Sequence, residues 1–188
     1  MSEIFEPSTP SLGRNPSNLT ALKVPPHSVE AEQAVLGGLM IDNTEWDTVA
    51  DTVLSVDFYR AEHQLIFQTM TQQSEARSPI DVVTLVEALD SLNELENAGG
   101  LDYLSELAGN ARGTANIHAY TDIIRERAIL RRLISVANNI ADTGYNTGGK
   151  KAAEILNGAE QQVFNIRDER PKDQGPVPIN PLLTKAVD

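Results

Sequence analysis

The sequence has no cysteine and no apolar run of about 18 residues, the length that a membrane-spanning helix needs. Without cysteine the chain forms no disulfide, no thiolate metal site and no cysteine nucleophile. Its three histidines, His27, His63 and His118, are too scattered for a histidine-rich metal site. The N-terminus lacks the basic start and apolar middle of a secretory signal. We therefore expect a soluble, cytoplasmic protein without a metal site or a membrane segment.

Basic residues are scarce in the first part of the chain. Residues 25–116 contain 16 acidic residues and three arginines, whereas residues 117–170 contain eight basic and seven acidic residues. The formal net charge of −12 therefore comes almost entirely from the first segment. Since an acidic surface repels phosphate backbones, we expect this segment to bind proteins rather than nucleic acids.

Apolar residues recur at helical spacing along most of the chain, and no strand-like alternation persists, so we predict an all-α fold. Residues 1–24, rich in Ser, Pro, Asn and Thr, predict a disordered tail. Residues 25–116 predict a compact bundle of five helices, with Ser28 and Asp81 as N-caps and a break at Asn97–Gly100. No residue of this bundle stands out as catalytic.

Two adjacent glycines, Gly37 and Gly38, lie in the middle of the first predicted helix. A glycine inside a helix costs about 1 kcal/mol relative to alanine. Because glycine has no Cβ, it also lets a second backbone approach closely. We predict close packing at these positions, with ligand binding as the alternative. The nearby Glu30 and Glu32 are predicted to stabilise the helix dipole, and His63 to be a packing residue.

Residues 117–170 predict a long helical hairpin. The first helix follows a predicted cap at Asn116, runs for about 25 residues and ends at Gly144. Two helices cannot bury both of their apolar stripes against each other. Four large aliphatic side chains left in water would forgo roughly 6–12 kcal/mol, at about 1.5–3 kcal/mol each.

That loss is comparable with the stability of a whole domain, so we predict that the hairpin pairs with a second copy of the chain. Docking of the hairpin onto the chain's own bundle is the alternative. The residues predicted to form the dimer interface are Ile123, Leu130, Leu133, Ile155, Leu156 and Val163.

Residues 171–188 predict a polar, proline-bearing linker and then the start of another helix at Asn180 and Pro181. The apolar stripe of this last helix stops after two turns without a C-cap. We therefore expect the chain to be the front part of a longer protein.

The segment Gly144–Lys151, GYNTGGKK, fits the phosphate-binding pattern G-x-x-x-x-G-K, but Lys151 replaces the Ser or Thr that holds magnesium. A functional loop of this kind follows a strand, whereas this one is predicted to follow a helix. A freestanding small all-α nucleotide-binding protein that uses this loop is therefore kept as the alternative function.

A basic cluster lies on the first hairpin helix, at Arg125, Arg127, Arg131 and Arg132. One interpretation is contact with the phosphates of DNA. The other is a solvated or ion-paired helix face, since Asp122 and Glu126 lie between these arginines in sequence.

Six segments of the chain, taken in order, resemble the N-terminal half of bacterial replicative DNA helicases of the DnaB type. They are PPHSVEAEQAVLGGLMID, DFYRAEHQLIF, SPIDVVTL, GGLDYLSEL, ANIHAYTDIIRERAILRRLISVANNIA and the GP of the linker. The resemblance covers residues 22–188. It implies a helical bundle plus hairpin, pairing of subunits through hairpins, and a hexameric ring.

The same resemblance implies the chain's partners and its limits. The N-terminal collar of the family recruits the C-terminal domain of primase, and Tyr103, Ile134 and Ile140 match positions implicated in that contact. The alternative is that these three residues belong to the core. A helicase loader is a further implied partner. The motor domain of the family, which holds ATP, magnesium and single-stranded DNA and performs 5'-3' unwinding at the replication fork, is not in this sequence. We therefore expect no cofactor and no catalysis here.

Overall fold

The computed structural model describes residues 24–111 and 115–168. This part of the chain consists of helices joined by short turns and contains no strand. The seven α-helices are α1 Val29–Ile41, α2 Trp46–Thr52, α3 Ala61–Glu75, α4 Val82–Ser91, α5 Gly100–Asn110, α6 Ile117–Tyr145 and α7 Ala152–Asp168. Short 3-10 helices occupy Asn43–Glu45 and Ser55–Asp57. The predicted tail, linker and final helix lie outside the described residues.

The bundle helices begin where the sequence predicted. The Ser28 side chain accepts the backbone N–H of Ala31 at 3.3 Å, which satisfies one of the free amides of the first turn of α1. At α4, the Asp81 side chain accepts the backbone N–H of Thr84 at 2.9 Å, and the Thr84 hydroxyl accepts the backbone N–H of Asp81 at 3.1 Å. Both predicted N-caps are confirmed.

Helix α1 lies at the centre of the bundle, and it contacts α3, α5 and α6. Val35, Leu36 and Leu39 of α1 are fully buried. Below them, the Phe67 ring packs against Trp46 and Phe58 with centroid separations of 5.3 and 4.9 Å. This apolar core is the main source of the bundle's stability.

Gly37 is the point where α1 and α5 approach most closely. A Cβ placed on Gly37 would lie 2.1 Å from the backbone oxygen of Leu107, a distance that no real side chain tolerates. The close packing predicted from the sequence is therefore confirmed at Gly37. Gly38 is also buried within α1.

The predicted ends of α6 were partly right. Asn116 lies at the N-cap position, as predicted, but its side chain forms no capping hydrogen bond. Gly144 does not end α6, which continues to Tyr145 because the Asn146 N–H still bonds the Asp142 carbonyl at 2.9 Å. The left-handed turn is instead made by Gly148 and Gly149, whose φ angles are 58° and 83°.

Helix α6 divides into two parts. Its first three turns dock on the chain's own bundle, where Ile117, Ile124 and Ala128 are buried. Beyond Ala128 no residue of α6 is fully buried, and the second part of the helix contacts α7, where Asn139 donates to Gln162 at 3.1 Å. The predicted alternative of docking onto the bundle thus holds for the first part of α6, while the rest of the hairpin keeps large apolar side chains exposed.

We expect Gly37→Ala to destabilise the bundle by about 1–3 kcal/mol, because its methyl group would force α1 and α5 apart. Urea unfolding followed by circular dichroism measures this change. Gly144→Ala is the matched control, since Gly144 is helical and has open space around it. We expect this variant to raise the free energy of unfolding by up to about 1 kcal/mol. Equal effects at both positions would contradict the close approach.

Candidate partner-binding surfaces

A buried carboxylate joins the bundle to the hairpin. Asp57, whose side chain is fully buried, closes the short turn Ser55–Asp57 and accepts the Leu54 backbone N–H at 2.9 Å. Its two carboxylate oxygens also bind guanidinium groups, from Arg125 at 3.2 Å and from Arg132. A buried charge is tolerated when it is paired and fully hydrogen-bonded in this way. The Asp57 carboxylate therefore fixes the middle of α6 to the loop before α3.

Arg131 adds a second attachment at the same level of α6. Its guanidinium donates to the Pro26 carbonyl at 2.8 Å and to the Asp57 carbonyl. It also lies 5.7 Å from the centre of the Tyr59 ring, against which His27 stacks at 4.1 Å. Burial lowers the pKa of Arg131, while the carboxylates of Glu32 and Asp57 oppose that change. The chain segment before α1 is thereby held against α6.

These contacts decide between the two interpretations of the arginine cluster. Arg125 and Arg132 form ion pairs within the chain, so the ion-paired interpretation is confirmed for these two, whereas Arg131 donates to backbone carbonyls. Their partner is Asp57, however, and not Asp122 or Glu126, which lie between them in sequence. No local spacing rule indicates a partner that lies 68 to 75 residues away.

A second buried network surrounds Tyr103. The Glu32 carboxylate lies 2.6 Å from Nδ1 of His63, and Nε2 of His63 lies 2.6 Å from the Tyr103 hydroxyl. Because a carboxylate accepts, Nδ1–H donates to Glu32, and in the neutral imidazole Nε2 accepts the Tyr103 O–H. Gln33 and Arg60 donate to the same hydroxyl oxygen at 3.3 and 3.4 Å.

This network changes two of the sequence interpretations. Glu32 is not an exposed first-turn acid; it is buried and also accepts the Tyr59 backbone N–H at 2.7 Å. His63 is buried, as expected of a packing residue, but both ring nitrogens have polar partners. The network ties α1, α3 and α5 together, so that the half-buried Tyr103 presents only part of its ring to solvent.

The six residues predicted to form a dimer interface differ in exposure. Ile123 is half-buried against the bundle core, and Leu130 and Ile155 are half-buried on the hairpin helices. Leu133, Leu156 and Val163 are 45%, 60% and 46% exposed. Phe164, which the sequence analysis did not single out, is 57% exposed beside them. The pairing role of these residues stays a prediction.

The three residues predicted to bind primase lie on two elements. Tyr103 belongs to α5 in the bundle, whereas Ile134 and Ile140 lie on the hairpin part of α6 and point about 120° apart around its axis. Ile134 is 47% exposed, and the other two are half-buried. None of the three is fully buried, but Tyr103 packs against the bundle core, so the primase-binding role of these residues stays a prediction beside the alternative of core residues.

The segment Gly144–Lys151 connects two helices and does not follow a strand. Gly144 lies inside α6, and the Lys150 N–H closes a turn on the Thr147 carbonyl at 3.0 Å. Among the described residues, no group of three or more acids and histidines is arranged to hold a metal ion. No helix in the described ranges is long and apolar enough to cross a membrane.

Residues 24–126 match the family model described as DnaB-like helicase N terminal domain. The chain is 42% identical over 182 residues to the replicative DNA helicase DnaB of Haemophilus influenzae, covering 96% of this chain and 39% of that protein. It is 51% identical over 170 residues to the DnaB of Buchnera aphidicola subsp. Schizaphis graminum, covering 90% of this chain and 37% of that protein. The chain thus spans less than half the length of these relatives.

Solved structures show the same fold. The crystal structure of the N-terminal domain of DnaB helicase from Mycobacterium tuberculosis superposes with a TM-score of 0.71 at 30% identity, covering 75% of this chain and 99% of that one. A DnaB-like replicative helicase, whose structure was described together with its interactions with primase, gives a TM-score of 0.64 at 22% identity. The match covers 85% of this chain and 35% of that one. The second similarity concerns the fold alone.

We expect Asp57→Asn to destabilise the protein by about 3–5 kcal/mol, because it leaves the arginines of α6 without their buried countercharge. Asp51→Asn, at an exposed position of α2, should change the stability by no more than about 0.5 kcal/mol. The free energy of unfolding in urea measures both. Similar values for the two variants would show that Asp57 does not hold α6 to the bundle.

Proposed function

Because the chain belongs to the DnaB-like replicative helicase family through its N-terminal domain, we propose that it is the assembly and primase-docking collar of such a helicase. One observation carries this proposal. The hairpin is fixed to the bundle at Asp57, yet beyond the bundle it exposes Leu133, Leu156, Val163 and Phe164. A rigidly held surface with exposed aliphatic residues suits binding to another protein.

The first proposed partner is a second copy of the chain. Pairing of hairpins would cover the exposed aliphatic side chains of both copies and give a two-fold arrangement of four helices. In the complete protein, such pairs would combine into a hexameric ring. The contacts at Asp57 and Arg131 would keep the angle between the bundle and the hairpin constant in every subunit.

The second proposed partner is the C-terminal domain of primase. The bundle is acidic, and three of the four clustered arginines are engaged within the chain, so the described surface favours protein over nucleic acid. We assign the contact to Tyr103, Ile134 and Ile140. Since they lie on two elements, the primase domain would touch both the bundle and the hairpin.

The remaining activities of the family belong to other parts of the complete protein in this proposal. The motor domain would bind ATP, magnesium and single-stranded DNA and would unwind the duplex. The N-terminal part described here would contribute no catalysis and hold no cofactor. The assembled helicase would act in the cytoplasm at the replication fork of the nucleoid, where a helicase loader is a further partner.

We expect Leu156→Asp to raise the dissociation constant of the dimer by at least about tenfold, because burying this leucine is worth about 1.5–3 kcal/mol. Sedimentation velocity over a range of concentrations measures it. Leu156 suits the test since it is exposed within the chain, whereas Ile123 packs on the bundle and its substitution would also affect folding. Asn157→Asp, one residue along α7, is the control. A wild-type chain that stays monomeric at high micromolar concentration would refute the assembly role.

We expect Ile134→Asp to weaken binding of the primase C-terminal domain by on the order of tenfold or more, as for an apolar residue central to an interface. Calorimetric titration measures the affinity, and the sedimentation coefficient shows whether the dimer is kept. Ser135→Asp is the control, since its side chain is exposed and lies elsewhere around α6. Unchanged affinity with an intact dimer would remove Ile134 from the primase surface.

A further inference from the structure

The bundle carries a groove that the proposed function does not use. It lies between the C-terminal half of α3 and the helix that follows, α4, and has a volume of about 380 Å³. Its lining includes no residue of the predicted dimer interface and none of the predicted primase contact. The groove is therefore a separate surface of the bundle, and it is called the α3–α4 groove below.

A buried polar atom without a partner belongs to this groove. Gln73, in the last turn of α3, lines the groove and is only 7% exposed. Its side-chain Oε1 is buried and accepts no hydrogen bond from any residue that the structure describes. A buried acceptor left without a donor lowers the stability of a protein, so such atoms are uncommon. The Gln73 amide thus has an acceptor available for a ligand.

Three further side chains of the groove present acceptors. The Thr69 hydroxyl donates its proton to the Leu65 carbonyl at 2.9 Å, so that only its lone pairs remain for a ligand. The Thr84 hydroxyl donates to the Pro79 carbonyl, also at 2.9 Å. The Glu87 carboxylate is exposed and forms no ion pair with a described residue. These groups favour a ligand that carries several N–H donors.

The electrostatics of the groove favour a positive charge. Ala76, the C-cap residue of α3, is part of the lining, so the negative end of the α3 dipole lies at the groove. The last turn of α3 contains no basic residue to balance it, and Arg77, which follows the cap, is exposed and outside the lining. Glu87 adds a full negative charge from α4. A guanidinium group fits best, because it combines a positive charge with five N–H donors and is more weakly hydrated than an ammonium group.

The surroundings of the groove suit an arginine that belongs to a protein. Val83 lies one turn before Glu87 on the same side of α4 and is 68% exposed. In protein interfaces, apolar contacts of this kind surround polar ones and exclude water from them. The groove is also open to the surface rather than enclosed, so a side chain of another protein can enter it.

We propose that the α3–α4 groove binds an arginine side chain of a protein partner, with the guanidinium group held by Gln73 Oε1 and by the Glu87 carboxylate. The Thr69 hydroxyl oxygen and the C-terminal end of α3 add to this acceptor set. Val83 provides an apolar contact beside it. The site is additional to the proposed dimer and primase surfaces and depends on neither.

A titration with a blocked arginine tests the site directly. The probe is acetyl-arginine amide, added to the full chain labelled with nitrogen-15, and two-dimensional NMR follows the Gln73 side-chain amide and the backbone amides of α3 and α4. Because a single side chain is only a small part of an interface, we expect a dissociation constant in the millimolar range. Acetyl-citrulline amide has nearly the same shape without the charge, and its binding should be at least about fivefold weaker.

Glu87→Gln tests the charged contact. It keeps the shape of the side chain and removes the charge, so the dissociation constant for acetyl-arginine amide should rise about two- to fivefold. This effect should shrink between about 50 and 500 mM salt, as screening requires. Asp90→Asn is the matched control, since Asp90 is the other acid of α4 and is exposed but does not line the groove. We expect it to change the dissociation constant by less than about twofold.

Gln73→Leu tests the buried contact with a measurement that a purely structural role would not produce. If Oε1 is available for a ligand, leucine removes an unsatisfied polar atom from a buried position. The variant should therefore melt at a temperature at least as high as the wild type, while its affinity for acetyl-arginine amide falls on the order of tenfold or is lost. A structural role for the amide would instead lower the melting temperature and leave the affinity unchanged.

The outcomes also separate this site from other ligands and from the proposed function. If acetyl-arginine amide leaves the groove signals unmoved, or if Gln73→Leu binds it with wild-type affinity, the site is refuted. Spermidine is the comparison cation, and tighter binding of spermidine than of acetyl-arginine amide would refute a protein side chain as the occupant. None of these results bears on the dimer or on primase, because those measurements use residues outside the groove.

Discussion

The buried carboxylate of Asp57 is the interaction on which the arrangement of this molecule depends. A charge that is removed from water must be compensated, and here the compensation comes from Arg125 and Arg132 of a helix that begins 60 residues later. Because Arg125 and Arg132 both lie on α6, their ion pairs with Asp57 also set where α6 crosses the bundle. Arg131 extends this attachment to the chain that precedes α1.

The attachment to the bundle at Asp57 divides α6 into a buried part and an exposed part. Up to Ala128 its apolar residues complete the core of the bundle, and beyond that point no residue of α6 is fully buried. A hairpin of two helices leaves one side of each helix exposed, which is why Leu133 and Leu156 remain in solvent. The geometry thus combines a closed bundle with a hairpin that keeps large apolar side chains exposed.

The charge distribution follows the same division. Among the described residues, Arg125, Arg131 and Arg132 bind within the chain, Asp122 and Glu126 on α6 remain exposed, and the two lysines lie at the hairpin tip. Three arginines of α6 are thus engaged within the chain and are not available as a basic surface for nucleic acid. The network of Glu32, His63 and Tyr103 adds rigidity on the bundle side, where primase is proposed to dock.

Local features were determined by the sequence itself: the helical spacing and the caps at Ser28 and Asp81 depend on residues a few positions apart. The glycine at position 37 indicated a close approach, but only the fold shows that its partner is Leu107, on another helix. The end of α6 was misjudged because the helical hydrogen bonds continue past Gly144, up to the bond from the Asn146 N–H to the Asp142 carbonyl. Only the tertiary structure decided that Asp57 pairs with the arginines of α6 and that Glu32 and His63 are buried partners. Such pairings join residues 31 to 75 positions apart, and no spacing rule of a single helix records which distant side chains folding brings together.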